Sequence, residues 1–333
     1  MSKILLILLF YLVNFSLCAQ YKQWVEYKAA PSDAKNKHIV LVSGDEEYRS
    51  EEALPMLAQI LAKQHGFDCT VLFAIDPATG AIDPNNVSNI PGLEKLESAD
   101  LMIIFTRFRE LPDEQMAHID NYLKKGKPVI GIRTATHAFH YEKNPGDRFA
   151  HYDWQSKKDG WEKGFGKRVL GETWISHHGD HGKEGTRALI NGVLQNAKHP
   201  VLNNVKDIWC PTDVYAVDHL PGDPQVLVYG QPTKGMTSSS PLNLKKSIMP
   251  VVWTKTYEIE QGRKGRALTS TMGAAVDLQN EDLRRMFVNA CYWLLDLKVP
   301  DNANVNFVTP YKPTMFGFDG FIKGIFPEKY EIK

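Results

Sequence analysis

The chain has 333 residues, 43% of them hydrophobic, which is ample for a sizeable core in one large or two small domains. Lysine plus arginine equals aspartate plus glutamate at 39 each, so no global charge draws it to nucleic acid or an anionic membrane. With 23% charged and 11% aromatic residues, the composition is not that of a disordered chain.

Residues 1–19 read as a secretory signal peptide. Lys3 supplies the positive end, Ile4 to Val13 is apolar but too short to span a bilayer, and Leu17-Cys18-Ala19 reads as a cleavage site before Gln20. A lipid anchor on Cys18 is the competing reading, disfavoured because Leu17 is large. The mature protein is expected to be secreted or periplasmic, with no transmembrane span. Cleavage would leave Cys69, Cys210 and Cys291, an odd number with no CxxC framework. Cys69 and Cys291 fit buried small hydrophobes, and one disulfide stays open.

Residues 20–37 form a polar lead-in. His38 to Ser43 is a short apolar run ending at Gly44, the pattern of a buried strand. Leu54 to Gln64 has helical periodicity and stops at Gly66; Asp68 to Ile75 is strand-like. Asp100 to Thr106 is another buried strand. Pro112 to Lys125 predicts a helix, with Asp113 and Glu114 in its first turn. Lys127 to Ile132 predicts a strand that breaks at Arg133 into a turn opening a helix. This alternation specifies a doubly wound, mostly parallel sheet with helices on both faces. The strands' carboxyl ends then share one side, bringing together Gly44–Glu52, Thr106–Glu110 and Arg133–His140.

The alternation breaks from Tyr141 to Glu184, a Gly-, aromatic- and His-rich insertion of the length used for lids and binding elements. Strand patterns return at Ala188–Ile190, Gln225–Tyr229, Met249–Thr254 and Ala267–Thr271. Asn280 to Leu297 predicts an amphipathic helix. One α/β domain over 38–298 is followed by an aromatic-rich tail, 299–333, expected to wrap it.

Three clusters carry chemistry. In Ser43-Gly-Asp-Glu-Glu-Tyr-Arg-Ser-Glu-Glu52, Asp45, Glu46 or Glu47 are candidates to grip hydroxyls, hold a metal or act as acid or base. The alternative is a solvated loop with Ser50 capping the next helix. In Thr106-Arg-Phe-Arg-Glu110, Arg107 and Arg109 are candidates for an anionic or polyhydroxylated ligand, or for salt bridges to the acidic loop. Third, six of the eleven histidines fall between 137 and 181: His137, His140, His151, His177, His178 and His181. His137, His177, His178 and His181 are candidate metal ligands, zinc being the natural ion, although their spacing matches no HExxH signature. The turn at Arg133 has the form of a nucleophile elbow, but no Ser or Cys stands at its tip. No GxSxG, P-loop or GxGxxG stands in the right context, which disfavours nucleotide binding.

At these residues the chain resembles the trehalose-utilization (ThuA-like) family. The resemblance rests on the acidic loop, Arg107-Phe-Arg109, Gly131-Ile-Arg-Thr-Ala-Thr-His-Ala-Phe139, Gly171-Glu-Thr-Trp-Ile-Ser-His-His-Gly179, His199-Pro200, Thr212-Asp-Val-Tyr215 and Thr271-Met-Gly273. It runs from about His38 to Leu297, with the tail typical of a secreted subgroup. It implies a class I glutamine-amidotransferase-like, flavodoxin-like fold. Aligned on Gly131, Arg133 falls where an amidotransferase carries its cysteine, and a guanidinium cannot attack, so thiol-based ammonia release is excluded. The family is associated with catabolism of disaccharides, including keto-sugars. Many relatives carry an acidic residue after the Asp equivalent to Asp213 and a His after the Gly equivalent to Gly273. Here these are Val214 and Ala274, and those roles do not transfer.

The combined expectation is an exported protein acting on a disaccharide, glycoside or keto-sugar as a hydrolase, lyase or isomerase. Arg133, His137, His177 and His178 are the candidate catalytic groups. Asp45, Glu46, Tyr48, Arg107, Arg109, Thr134, Thr136 and Asp213 are the candidate substrate contacts. Trp154, Trp161 and Trp174 are candidates to stack on a sugar. A non-catalytic sugar-binding protein with the same cleft is the alternative, and a homo-oligomer stays open.

Overall fold

A computed structural model describes residues 21–31, 35–190, 198–220 and 222–332. The expected signal peptide, its expected cleavage site and Cys18 lie outside the described residues. Among the described residues the framework is one ten-stranded sheet: β1 (Trp24–Tyr27), β2 (His38–Gly44), β3 (Asp68–Leu72), β4 (Leu101–Thr106), β5 (Val129–Ile132), β6 (Thr186–Leu189), β7 (Trp209–Cys210), β8 (Gln225–Pro232), β9 (Met249–Glu258) and β10 (Lys264–Ser270). Their order across the sheet is β1-β3-β2-β4-β5-β10-β9-β8-β6-β7. β3, β2, β4, β5 and β10 are parallel neighbours. The remaining pairings, β1 on one side and β9, β8, β6 and β7 on the other, are antiparallel. The sheet is thus mixed with a parallel core, rather than mostly parallel. Hairpin-like returns after β8 and β9 extend it without crossover helices.

Helices α1 (Ser50–His65) and α3 (Glu281–Leu294) pack on one face, against Ile39, Leu41, Ile103 and Phe105. α2 (Asp113–Lys124) covers the other, against Val40, Val42, Met102 and Ile104. Alternate strand residues serve opposite faces, so the apolar runs of β2 and β4 reflect burial on both sides. α1 begins four residues before its periodicity suggested. Ser50 is its first residue rather than its cap, with its hydroxyl bonded to Ser43 (2.8 Å) and accepting from the Asp45 N–H (3.0 Å). Pro55 lies inside the helix and forgoes one backbone bond. Asn280 caps α3, accepting from the Leu283 N–H at 2.9 Å.

Much of 141–184 packs into the second face: Phe149, Tyr152, Phe165, Val169 and Leu170 are buried there. Two glycines set this packing. A Cβ on Gly131 in β5 would lie 2.6 Å from Leu170 Cδ1, and one on Gly166 would lie 2.0 Å from the Thr136 carbonyl oxygen. The tail from Pro300 is largely irregular and runs over α1 and the acidic loop. Tyr311 donates to the Ala275 carbonyl (2.8 Å), Thr314 to Glu52 (2.7 Å), and the Gly317 N–H to the Glu47 carbonyl (2.8 Å). Cys69, Cys210 and Cys291 are buried free thiols. Among the described residues no helix is long and apolar enough to cross a membrane.

Candidate functional site

The chain leaves β2 toward β3 on one side and β4 toward β5 on the other. The carboxyl ends of β2 and β4 therefore flank a topological switch point, where α/β sheets bind ligands. The loops after these two strands meet there. Asp45 is fully buried. Its carboxylate accepts from the N–H groups of Glu47 (2.9 Å) and Tyr48, and from the Thr134 hydroxyl at 2.5 Å. Asp45 and Thr134 thus tie the acidic loop to the elbow after β5, and neither presents itself to a ligand as the sequence suggested.

Glu46 pairs with Arg107 and, at 2.9 Å, with Arg109. Burial pushes the Glu46 carboxyl up, with Arg109 and Arg107 pulling against it. Arg109 is wholly buried and also donates to the carbonyls of Pro84 (2.9 Å), Asn86 (2.8 Å) and Arg107 (2.6 Å). Its fork is spent on the loop, so Arg109 makes the salt bridge to the acidic loop that the sequence also offered. Arg107 keeps a partly exposed edge, its guanidinium between the rings of Phe108 and Phe318.

At the elbow Arg133 has φ +47°, the left-handed region, a strained conformation for a non-glycine residue and one found where functional turns store strain. The turn continues only as a short 3₁₀ segment, Arg133–His137, not as the expected α-helix. The Arg133 side chain points down into the protein and is 0% exposed. It donates to the carbonyls of Asp213 (3.0 Å) and Thr271 (2.6 Å) and to Asp213 Oδ1 (3.1 Å). The rings of Tyr48 and Tyr215 lie 4.2 and 4.3 Å from it. Arg133 and Tyr48 therefore hold the site from beneath instead of touching a ligand. Thr136 likewise turns inward, toward the Arg133 carbonyl (3.3 Å) and His137 Nδ1 (3.2 Å).

The buried Asp213 carboxylate is the hub. Oδ2 lies 2.7 Å from His177 Nδ1, and Oδ1 lies 3.2 Å from His181 Nδ1. His181 Nε2 in turn lies 3.3 Å from Glu47. Burial would raise the Asp213 carboxyl, but hydrogen bonds from His177 and His181 and the charge of Arg133 outweigh it and hold it far below the usual carboxylate range. The same bond to Asp213 raises His181 above the ordinary imidazole value, against partial burial. Burial raises Glu47, helped by Asp45 and opposed by Arg107, Arg133 and His181. His177 and His181 are about two-thirds covered, with exposed ring edges. His177, His181 and Asp213 offer ligand atoms within 4.8 Å of one another. Two imidazoles and a carboxylate are a donor set suited to zinc.

His178 departs from the expectation. Its Nε2 lies 2.8 Å from the Ser247 carbonyl, turned from the cluster. His137 is buried among Phe108 (5.0 Å), Trp174 (5.5 Å) and Trp154 (6.4 Å). Burial, then Arg107, Arg133 and His177, push it well below the ordinary value, so it is a neutral ring of the aromatic wall. It supplies no atom to the metal-capable cluster. His140 pairs with Asp153 at 2.8 Å. Trp154 and Trp174 are half-buried beside the cluster, whereas Trp161 packs on His151 and Tyr152.

Tyr215 and Phe316 were missed. Tyr215 sits in a quoted motif, and its backbone bridges to His177. Phe316 comes from the tail to lie 5.5 Å from both Tyr48 and His181, a placement no local pattern signals. Asp277 was missed too. Fully buried, it accepts from the Thr212 hydroxyl and the N–H groups of Gly273 and Ala274, fixing the turn after β10.

The molecule is an α/β protein with a carboxylate–histidine cluster beside its switch point. The family model described as "ThuA: Trehalose utilisation" matches residues 38–294, and the chain belongs to that family. A ThuA-like protein from Parabacteroides merdae is similar in structure, at 16% identity and TM-score 0.51, with 89% of this chain and 99% of that one covered. Another, from Bacteroides uniformis, has 14% identity and TM-score 0.48, with 80% and 95% covered. No curated protein sequence matches.

Proposed function

We propose that this chain is an exported member of the family that acts on a disaccharide, glycoside or keto-sugar by proton transfer at His177. The observation that carries this reading is the Asp213–His177 pair. A carboxylate is acceptor-only, so His177 Nδ1 donates to it and Nε2 is left to act as the base. Asp213, held ionised by the bonds from His177 and His181 and by the charge of Arg133, orients the ring and stabilises the imidazolium formed when a sugar proton is taken. The bond to Asp213, with Glu47 on the other side of the ring, favours the protonated form of His181. Trp174 and Trp154 offer faces to the apolar side of a sugar ring.

A second reading has its own observation: the three ligand atoms of His177, His181 and Asp213 are close enough to share one divalent ion. In it the cluster would hold zinc, which supplies Lewis-acid chemistry when bound. Incubation of the purified protein with trehalose, other disaccharides and their keto forms, with metal analysis, tests both. Turnover without metal supports the first reading, metal-dependent turnover the second, and saturable binding of unchanged sugar the non-catalytic alternative. Export rests on the leader's pattern alone; amino-terminal sequencing of the mature protein, expected to begin at Gln20, tests it.

A further inference from the structure

The tail reaches the histidine cluster along a clamped path. Between Thr314 and Gly320 it crosses the acidic loop, where Arg49, only 1% exposed, holds it. Arg49 donates to the Thr314 hydroxyl (3.1 Å) and the Gly317 carbonyl (2.7 Å), and within its own loop to the carbonyls of Glu46 (3.3 Å) and Glu47 (3.2 Å). The Gly317 N–H returns a bond to the Glu47 carbonyl at 2.8 Å. Gly317 has φ +138°, a conformation that favours glycine. A Cβ on Gly320 would lie 2.4 Å from Arg49 Nη2, so glycine lets the strap close on the guanidinium. A buried guanidinium is costly unless its donors are used, and this one spends them on the loop and on the path of the tail.

The strap delivers Phe316, whose partly exposed ring lies 5.5 Å from both His181 and Tyr48. His177, 4.6 Å from His181, has neighbours of its own: Trp174 at 5.8 Å and Tyr215 at 5.6 Å. Tyr48 and Tyr215 are buried, whereas Trp174 and Phe316 are partly exposed. Each histidine of the cluster thus has one aromatic neighbour that a ligand can reach. Such a ring takes the apolar C–H side of a sugar, and one sugar ring stacks on one face at a time. We propose that the tail completes the site: Phe316 carries the second ring of a two-ring sugar whose reacting ring lies on Trp174 at His177, a role that rests on the cluster being a sugar site. The side chain that sets this preference then comes from outside the α/β domain, and Arg49 positions it.

The test is calorimetric titration of the full chain with trehalose, maltose and cellobiose as two-ring probes and with methyl α- and β-glucoside as one-ring probes. At least one two-ring sugar is expected to bind about threefold to tenfold more tightly than either glucoside, the contribution of one further aromatic face. Phe316→Ala, with unchanged circular dichroism, should erase that preference. Phe316→Leu keeps the apolar bulk without the flat face, and should reduce it if the alanine variant folds poorly. A preference that survives in the folded variants, or equal affinity of the unaltered protein for one-ring and two-ring sugars, would overturn the role of the tail while leaving the sugar site standing. Absence of binding by all of these sugars would overturn it too, and conversion of a keto-sugar would then show whether the sugar site stands without it.

Discussion

Arg133→Met separates a residue that reacts from one that holds. The sequence alone suggests that losing this side chain abolishes activity in an intact protein. The structure specifies a different outcome. Arg133 is wholly buried, bonded to Asp213 and to two carbonyls, and sandwiched by Tyr48 and Tyr215. Methionine keeps much of the stem volume and the same backbone strain, so the loss isolates the guanidinium. Removing one partner of a buried ion pair costs about 3–5 kcal/mol, because the other charge stays behind unpaired. At roughly 2–3 °C per kcal/mol for a domain of this size, the melting midpoint falls by about 6–15 °C. The assay is thermal and urea denaturation of the wild type, Arg133→Met, Asp213→Asn and the double variant. The double variant should be less damaged than the summed singles, by about 1–3 kcal/mol, as expected for groups in direct contact. A single variant melting within about 1 °C of wild type, or strict additivity, would show that the guanidinium does not hold Asp213 in place.

Glu51 should make stability pH-dependent. Its folded value of about 8 lies above the ordinary 4.5, so the folded state holds its proton more tightly. Stability is therefore unpenalised below about pH 4.5 and falls as pH rises toward 8, by up to about 5 kcal/mol from the size of the shift. Glu51→Gln should be more stable than wild type at pH 8 and nearly equal at pH 4.5; a constant difference would contradict this. Gly166→Ala sets a methyl 2.0 Å from the Thr136 carbonyl oxygen and should lose about 3 kcal/mol or fail to fold, read by urea melts. A wild-type melt in that variant would mean the 141–184 segment does not pack on the elbow. If the cluster takes zinc, His181 must first lose its proton, so zinc affinity should climb as pH rises through the elevated His181 value. Zinc titration at stepped pH reads this, and pH-independent affinity would exclude His181 as a ligand.

The parallel core was legible because β2 and β4 are buried on both faces, and their unbroken apolar runs say so. The antiparallel half was legible as strands but not as an arrangement. Nothing local in Gln225–Pro232 or Met249–Glu258 encodes which way its neighbour runs. β1 and β7 are four and two residues long and exist through their partners, so no periodicity announces them. At the site, the sequence picked out the histidine-rich stretch but could not sort it. The turn at Gly179 sends His178 to Ser247 and leaves His177 and His181 on Asp213. Arg133 was correctly placed at the elbow and wrongly aimed, since a left-handed turn with two tyrosines and an aspartate beneath it draws the guanidinium inward.

In the proposed function Asp213 and His177 form a working proton-transfer pair. Its most direct measurement is the rate at which the purified protein converts a disaccharide or its keto form, followed by NMR, for wild type, His177→Gln and Asp213→Asn. Loss of a general base costs about 10²–10⁴ in rate. Turnover in wild type, with losses of that size and sugar binding retained in His177→Gln, is the expected result. Wild-type rates in a folded His177→Gln variant would contradict it.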